Sequence, residues 1–201
     1  MSSSHPIASP SIAGYDYGTL KSAQSPVSDT ELSQLEATVG WTSADATVMA
    51  RHARLFEVQA EPMVDSWRAV IGAQSHLAHW FTKPDGTADD DYKASVKRRF
   101  VQWVIDVAQR PHDRDWLNYQ EEIGLRHTPA KKNKTEQAHT PPFVPFRYLL
   151  GFVPVVLPIR SFFARSVPDE AELAALQSAW TKAVLLHLTL WSRAYVREDL
   201  W

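Results

Sequence analysis

The residues best placed to do chemistry lie in one stretch, Trp116-Leu-Asn-Tyr119-Gln-Glu-Glu-Ile123-Gly-Leu125-Arg126-His127. Trp116, Tyr119, Ile123 and His127 follow one another at helical steps, so their side chains share one face of a helix. An imidazole on an apolar face has two ordinary explanations. It coordinates a buried metal through one ring nitrogen, or it sits in a core with a hydrogen bond to a carbonyl. A polar loop bearing Lys131, Lys132 and Lys134 follows at once.

The other seven histidines offer less. His5 and His139 sit in polar segments. His52, His76 and His112 lie near helix ends or charged neighbours and are expected at the surface. His79, beside Trp80 and Phe81, is placed to approach a pocket, and His187 reads as a core or interface residue of the last helix. No His-Glu-x-x-His zinc motif appears.

The chain has no cysteine, which excludes disulfides, thiolate-bound zinc, iron–sulfur clusters and cysteine nucleophiles. A net charge of −2 gives no basic footprint for nucleic acid. No apolar run reaches the roughly 20 residues of a membrane span, and the first residues lack a secretory layout. A cytoplasmic protein is expected. Eight Trp, eight Phe and six Tyr supply many flat apolar surfaces, as a filled core or a large planar cofactor requires.

Helical periodicity positions these residues. Residues 1–13 form a flexible tail rich in Ser, Pro and Ala. Ser28-x-x-Glu31 is a capping box with Val27 and Leu32 as its staple, and Gly40 ends that first helix. A second helix starts near Ser43 and carries Val48, Leu55 and Val58 inward. Pro62 then kinks it or opens the next helix, which presents Met63, Trp67, Val70 and Ile71. Pro84-Asp85-Gly86 is a turn. Asp89 to Asp91 start a long helix with the inward stripe Tyr92, Val96, Phe100, Trp103 or Val104, and Val107. After the His127 helix and the 128–142 loop comes a helix bent by Pro154 and Pro158, then a last helix from Pro168-Asp169-Glu170 to about Tyr195. No period-two strand appears, so the chain reads as all-α.

Several motifs in this order resemble the protoglobins, the haem-binding branch of the globin superfamily related to the sensor domains of globin-coupled sensors. They are Gly14-Tyr-Asp-Tyr-Gly18, Asp65-Ser-Trp67, His76-Leu77, Phe81-Thr-Lys-Pro-Asp-Gly-Thr87, Lys97-Arg-Arg-Phe100, Trp103, Asp106, Tyr119 to His127, Lys131-Lys-Asn133, Arg147-Tyr-Leu149, Ala179-Trp180, Lys182-Ala183 and Leu190-Trp-Ser192. The resemblance implies a globin-like helical sandwich with an extra N-terminal helix and an N-terminal extension, residues 14–201 forming one domain. It implies haem b (iron protoporphyrin IX) bound through His127, with a helix-end carbonyl accepting from Nδ1 so that Nε2 meets the iron.

By the same resemblance Trp67, Arg68, Phe81, Val96 and Phe100 line the gas-binding side, while Val144, Leu149, Phe152 and Val156 close it and Tyr119 contacts the cofactor. Arg68 departs from the archaeal members, which carry a tyrosine there. It is expected to turn outward to solvent or a propionate, leaving Trp67 Nε1–H as the pocket donor. One or two of Arg98, Arg99, Arg126, Lys131, Lys132 and Arg147 would pair with the propionates.

The function implied is reversible binding of O₂, CO or NO for transport or sensing. The alternative is haem chemistry on peroxide or NO, with the protein tuning the cofactor. The aromatic and apolar last helix, with Trp180, Leu185, Leu186, Leu190, Trp191 and Tyr195 on more than one face, points to a homodimer through the last two helices. With the chain ending at Trp201, a sensor would signal through a separate partner.

Overall fold

A computed structural model describes residues 12–201, so most of the expected N-terminal tail, and His5, lie outside the described residues. The α-helices among them are α1 (Asp29–Val39), α2 (Ser43–Arg51), α3 (Ala53–Ala73), α4 (Ser75–Ala78), α5 (Asp90–Gln109), α6 (Arg114–Arg126), α7 (Phe146–Val156), α8 (Arg160–Phe163) and α9 (Glu170–Ser192). Apart from one isolated bridge, Thr82 to Ala88, no β-structure occurs among the described residues.

Local chemistry accounts for most boundaries. Ser28 and Glu31 close the capping box at α1, and Gly40 ends the helix in the left-handed region at φ 70°. Side chains of Asp89, Asp113 and Asp169 accept backbone N–H groups at the starts of α5, α6 and α9. Gly86, at φ 85°, turns the short hairpin that precedes α5.

Two expectations are corrected. The second expected helix breaks at His52, whose Nε2 lies 2.9 Å from Glu172 Oε1 on α9, and not at Pro62. Pro62 sits inside α3 because the turn it weakens is open to water: Val58, four residues earlier, is 58 % exposed. Val58 therefore faces solvent instead of the core; Phe56, Ala60, Met63, Val64 and Trp67 form the buried stripe.

The main core joins α2, α3, α5, α8 and α9 around Phe56, Trp103, Phe163 and Trp180. A second cluster of Val27, Leu32, Trp116, Leu117, Leu186 and Leu190 welds α1 to α6 and α9. The window Phe146–Phe163 is apolar enough, by composition, to cross a membrane. Its backbone is broken between Val156 and Arg160, however, and the continuous helix of 11 residues is about half of what a span of roughly 20 needs.

Candidate functional site

α6 delivers His127 at its C-terminal end. Asn118, Gln120, Glu121 and Glu122 are polar, yet all four are buried. The N-terminal segment lies along one side of the helix, with the Ala23 N–H donating to Glu122 and the Ser25 N–H to Asn118, both at 2.9 Å. On the other side Trp191 Nε1 donates to Gln120 at 3.0 Å and Arg193 pairs with Glu121. At Gly124 a Cβ would lie 3.2 Å from the Trp191 backbone, so any larger residue would have to push α6 and α9 apart by a few tenths of an ångström. The helix is thereby gripped on every side before it presents the imidazole.

The His127 ring is oriented by three contacts. Nδ1 lies 2.9 Å from the Ile123 carbonyl, which can only accept, so Nδ1 carries the proton and Nε2 keeps its lone pair. The ring stacks on Trp191 at 5.9 Å and 27°. Its own carbonyl accepts the Val144 N–H at 2.8 Å, and Tyr195 Oη donates to the Val144 carbonyl at 2.7 Å. Burial pushes the imidazole pKa below its ordinary value, against the Ile123 bond and with help from the Lys132 charge, so the ring is neutral.

His127 belongs to the wall of a cavity of about 740 Å³ lined by α3, α5, α6, α7 and α9. Tyr119, Ile123 and His127 of the expected helical face reach it; Trp116 instead packs in the second cluster, stacked at 4.0 Å on His112. Arg68, Phe81, Val96, Phe100, Val144, Leu149, Phe152 and Val156 all line this cavity. Trp67 does not. It lies behind the wall, stacked on Trp180 and tilted against Phe100, because its position on α3 points into the main core. Arg68 lines the cavity together with Asp65 and Lys93, its Nη2 3.4 Å from the Lys93 carbonyl and its Nη1 3.9 Å from the Asp65 carboxylate.

Sequence reasoning missed Trp80, Tyr92, Tyr148 and Trp191 as cavity walls. Their aromatic character was visible, but which face each would turn inward depends on helix crossings that no local spacing encodes. Of the six basic candidates, Arg99, Arg126 and Lys132 line the cavity and Arg98, Lys131 and Arg147 do not. Arg99 is paired with Glu136. Arg126 uses Nε on Glu122 and Nη2 on Asp16, which leaves its buried Nη1 with no hydrogen-bond partner. Lys132 is bound only by neutral oxygens, those of Thr140, Pro141, Asn133 and Trp80, and burial lowers its pKa to about 8. Trp80 Nε1 is a second buried donor without a partner.

The remaining histidines fall elsewhere. His76, His79 and His139 are exposed, and His79 does not reach the cavity. His112, expected at the surface, is half-buried between Trp41 and Trp116 with Nδ1 2.6 Å from Glu36. His187 is a core residue that accepts the Trp103 indole N–H at 2.8 Å. No cluster of three His, Asp or Glu suited to a metal ion occurs among the described residues. A metal here would therefore arrive within a larger cofactor, with His127 as its one imidazole ligand.

The protoglobin family model matches residues 28–201 of the chain. Among solved structures, the chain is similar to the globin domain of a globin-coupled sensor from Geobacter sulfurreducens. The two share 17 % identity at a TM-score of 0.65, over 82 % of this chain and 97 % of that one. At that identity the likeness establishes a globin-like fold. No curated protein matches the chain.

Proposed function

This chain belongs to the protoglobin family, and on that premise we propose that it holds haem b in the cavity through His127 and reversibly binds O₂, CO or NO. The observation that carries the reading is the state of His127: one ring nitrogen is committed to a backbone carbonyl, which leaves the lone pair of the other available, and the residue lines a cavity whose walls are mostly apolar and aromatic.

The residues present fit such a group. A haem brings two carboxylates into an apolar site, and a buried cation without a counter-ion is costly. Lys132 is a cation with no carboxylate partner at the cavity wall, and Arg126, though paired with Glu122 and Asp16, keeps its buried Nη1 without an acceptor. We assign the propionates to these two, with Trp80 Nε1 as a neutral donor nearby. When bound, haem supplies an iron with one open coordination position. The protein does the rest: Ile123 fixes the tautomer of His127, Trp191 fixes the plane of its ring, and Phe81, Val96, Phe100 and Phe152 exclude water from the opposite wall.

With the Arg68 guanidinium engaged by Asp65 and the Lys93 carbonyl and Trp67 behind the wall, no strong donor is free to meet a gas ligand from α3. The family context favours a soluble cytoplasmic protein acting as a carrier or as a sensor with a separate partner. A homodimer through α7 and α9 fits Leu150 and Leu185, which expose 50 % and 38 % of their surface on those helices. The direct test is the absorption spectrum of purified protein, oxidised, reduced and reduced with CO. A haem spectrum that shifts with CO supports the reading; protein that takes up no haem when supplied with it overturns it.

A further inference from the structure

Tyr119 is the only wall residue of the cavity in ring contact with both tyrosines of the N-terminal segment. Its ring meets Tyr15 edge-on at 5.2 Å and Tyr17 at 5.6 Å, and those two rings stack at 6.2 Å and 13°. Tyr15 and Tyr17 are partly exposed, so three rings connect the cavity to the surface. The Tyr15 hydroxyl donates to Asp106 Oδ2 at 2.7 Å. Among the described residues no other tyrosine hydroxyl donates to a carboxylate.

That hydrogen bond matters because a phenol gives up an electron readily only when its proton can leave at the same moment. The neighbours lack this provision. Tyr119 Oη has no acceptor among the described residues. Tyr17 lies under the Arg110 guanidinium at 4.4 Å, and Tyr92 has the Lys132 ammonium 5.1 Å from its ring centre; a cation over a ring opposes its oxidation. Arg110 Nη2 also reaches the Tyr15 hydroxyl at 3.3 Å, so what sets Tyr15 apart is its carboxylate acceptor. Trp103 can pass its proton only to His187, and burial holds that imidazole pKa well below the ordinary value. Asp106 accepts directly from the phenol; burial raises its pKa, while Gln102 and Arg110 hold the other oxygen.

We propose that Tyr15 is a redox-active residue that carries oxidising equivalents from the cavity to the surface, with Tyr119 as the relay ring and Asp106 as the acceptor of the phenolic proton. The inference rests on the haem reading above and adds peroxide reduction to it. The oxidant is hydrogen peroxide, whose O–O bond breaks as two electrons and two protons convert it to two water molecules, leaving the haem group two electrons short. One electron then returns to the haem from the Tyr15 ring by way of Tyr119. The phenolic O–H bond breaks, its proton forms a new O–H bond on Asp106 Oδ2, and a neutral Tyr15 radical remains. An external one-electron reductant, such as a phenol or ascorbate, supplies the electron that re-forms the Tyr15 phenol with the proton from Asp106. A second equivalent passing by the same route returns the haem to its starting state, so two reductant molecules are consumed per peroxide.

The test is freeze-quench EPR of the haem-loaded protein mixed with hydrogen peroxide, on the wild type and on Tyr15→Phe, Tyr17→Phe and Asp106→Asn. The wild type should give a tyrosyl signal that Tyr17→Phe retains and Tyr15→Phe loses. Asp106→Asn, which keeps the ring but removes the base, should lose most of it, and the peroxide-oxidised absorption spectrum should persist longer in both deficient variants. Unchanged haem content and CO spectrum certify that each variant is folded. A wild-type signal of equal size in Tyr15→Phe, a tryptophan signal in its place, or no radical in haem-loaded wild type would overturn this inference alone. Protein that binds no haem would overturn the reading beneath it as well.

Discussion

Arg68 and Trp67 are adjacent on α3 yet do different work. Arg68 lines the cavity while its guanidinium leans toward Asp65 and Lys93, and Trp67 packs behind the wall against Phe100 and Trp180. A charged donor to a bound gas is worth about 1–3 kcal/mol, or roughly five- to a hundred-fold in its release. Arg68→Ala should leave O₂ dissociation close to wild type, because that donor is engaged by Asp65 and the Lys93 carbonyl. Trp67→Phe should lower stability and also spare O₂ release. Stopped-flow measurement of O₂ dissociation from both variants checks this; a large acceleration in either would place its N–H at the ligand.

Lys132 makes a second prediction at this scale. Its folded pKa, about 8, lies below the ordinary 10.5, so the unfolded chain binds more protons between those values and stability rises with pH there. Tyr17 and Tyr92 are pushed up to about 12 from 10, the opposite case, and their contribution is lost above pH 10. Urea unfolding of the haem-free protein should therefore show stability climbing from pH 8 to pH 10, with the climb absent in Lys132→Met. Haem loading should flatten it, since a propionate restores the ammonium. Equal slopes in wild type and Lys132→Met would contradict the assignment. The lysine was legible in the sequence only as one of six cations. Nothing in a polar loop announces that Thr140 and Pro141 will fold over it.

At the scale of elements, most of the helices were readable because their signals are local: the capping box at Ser28, the acidic caps of α5, α6 and α9, and Gly40. The errors came where tertiary contact overrides such signals. His52, whose side chain meets Glu172 of α9, ends α2, and Trp116 leaves the His127 face of α6 for the second cluster, where it stacks on His112. α7 is the least supported long element. Its main neighbours are α3 and α9, and its inward residues Leu149, Phe152 and Val156 face the cavity. Without cofactor those side chains have little to pack on, so α7 should open locally at low cost. Hydrogen exchange should show fast α7 amides in the haem-free protein and strong protection on loading, with α3 and α5 little changed. Equal protection of α7 in both states would show that protein contacts alone hold it.

For the molecule as a whole, the sequence conveyed the all-α class and the His127 face, because both follow from period and spacing. It could not convey how far one chain satisfies α9. That helix looked apolar on too many sides for a monomer, yet α1, α2, α5, α6, α7 and α8 cover it apart from a strip near Leu185. A dimer must then rest on that strip together with Leu150 of α7. Light scattering at micromolar concentration should report a dimer that Leu150→Glu with Leu185→Glu dissociates, and a wild-type monomer would refute it.

The central claim is that His127 Nε2 binds the iron of a haem in the cavity, and the most direct measurement is the absorption spectrum of His127→Gly with and without added imidazole. The account predicts that the variant loses most of its haem or shows an altered spectrum, and that free imidazole, entering the space left by the side chain, restores the wild-type bands. A His127→Gly protein with unchanged haem content and an unchanged spectrum in the absence of imidazole would contradict it.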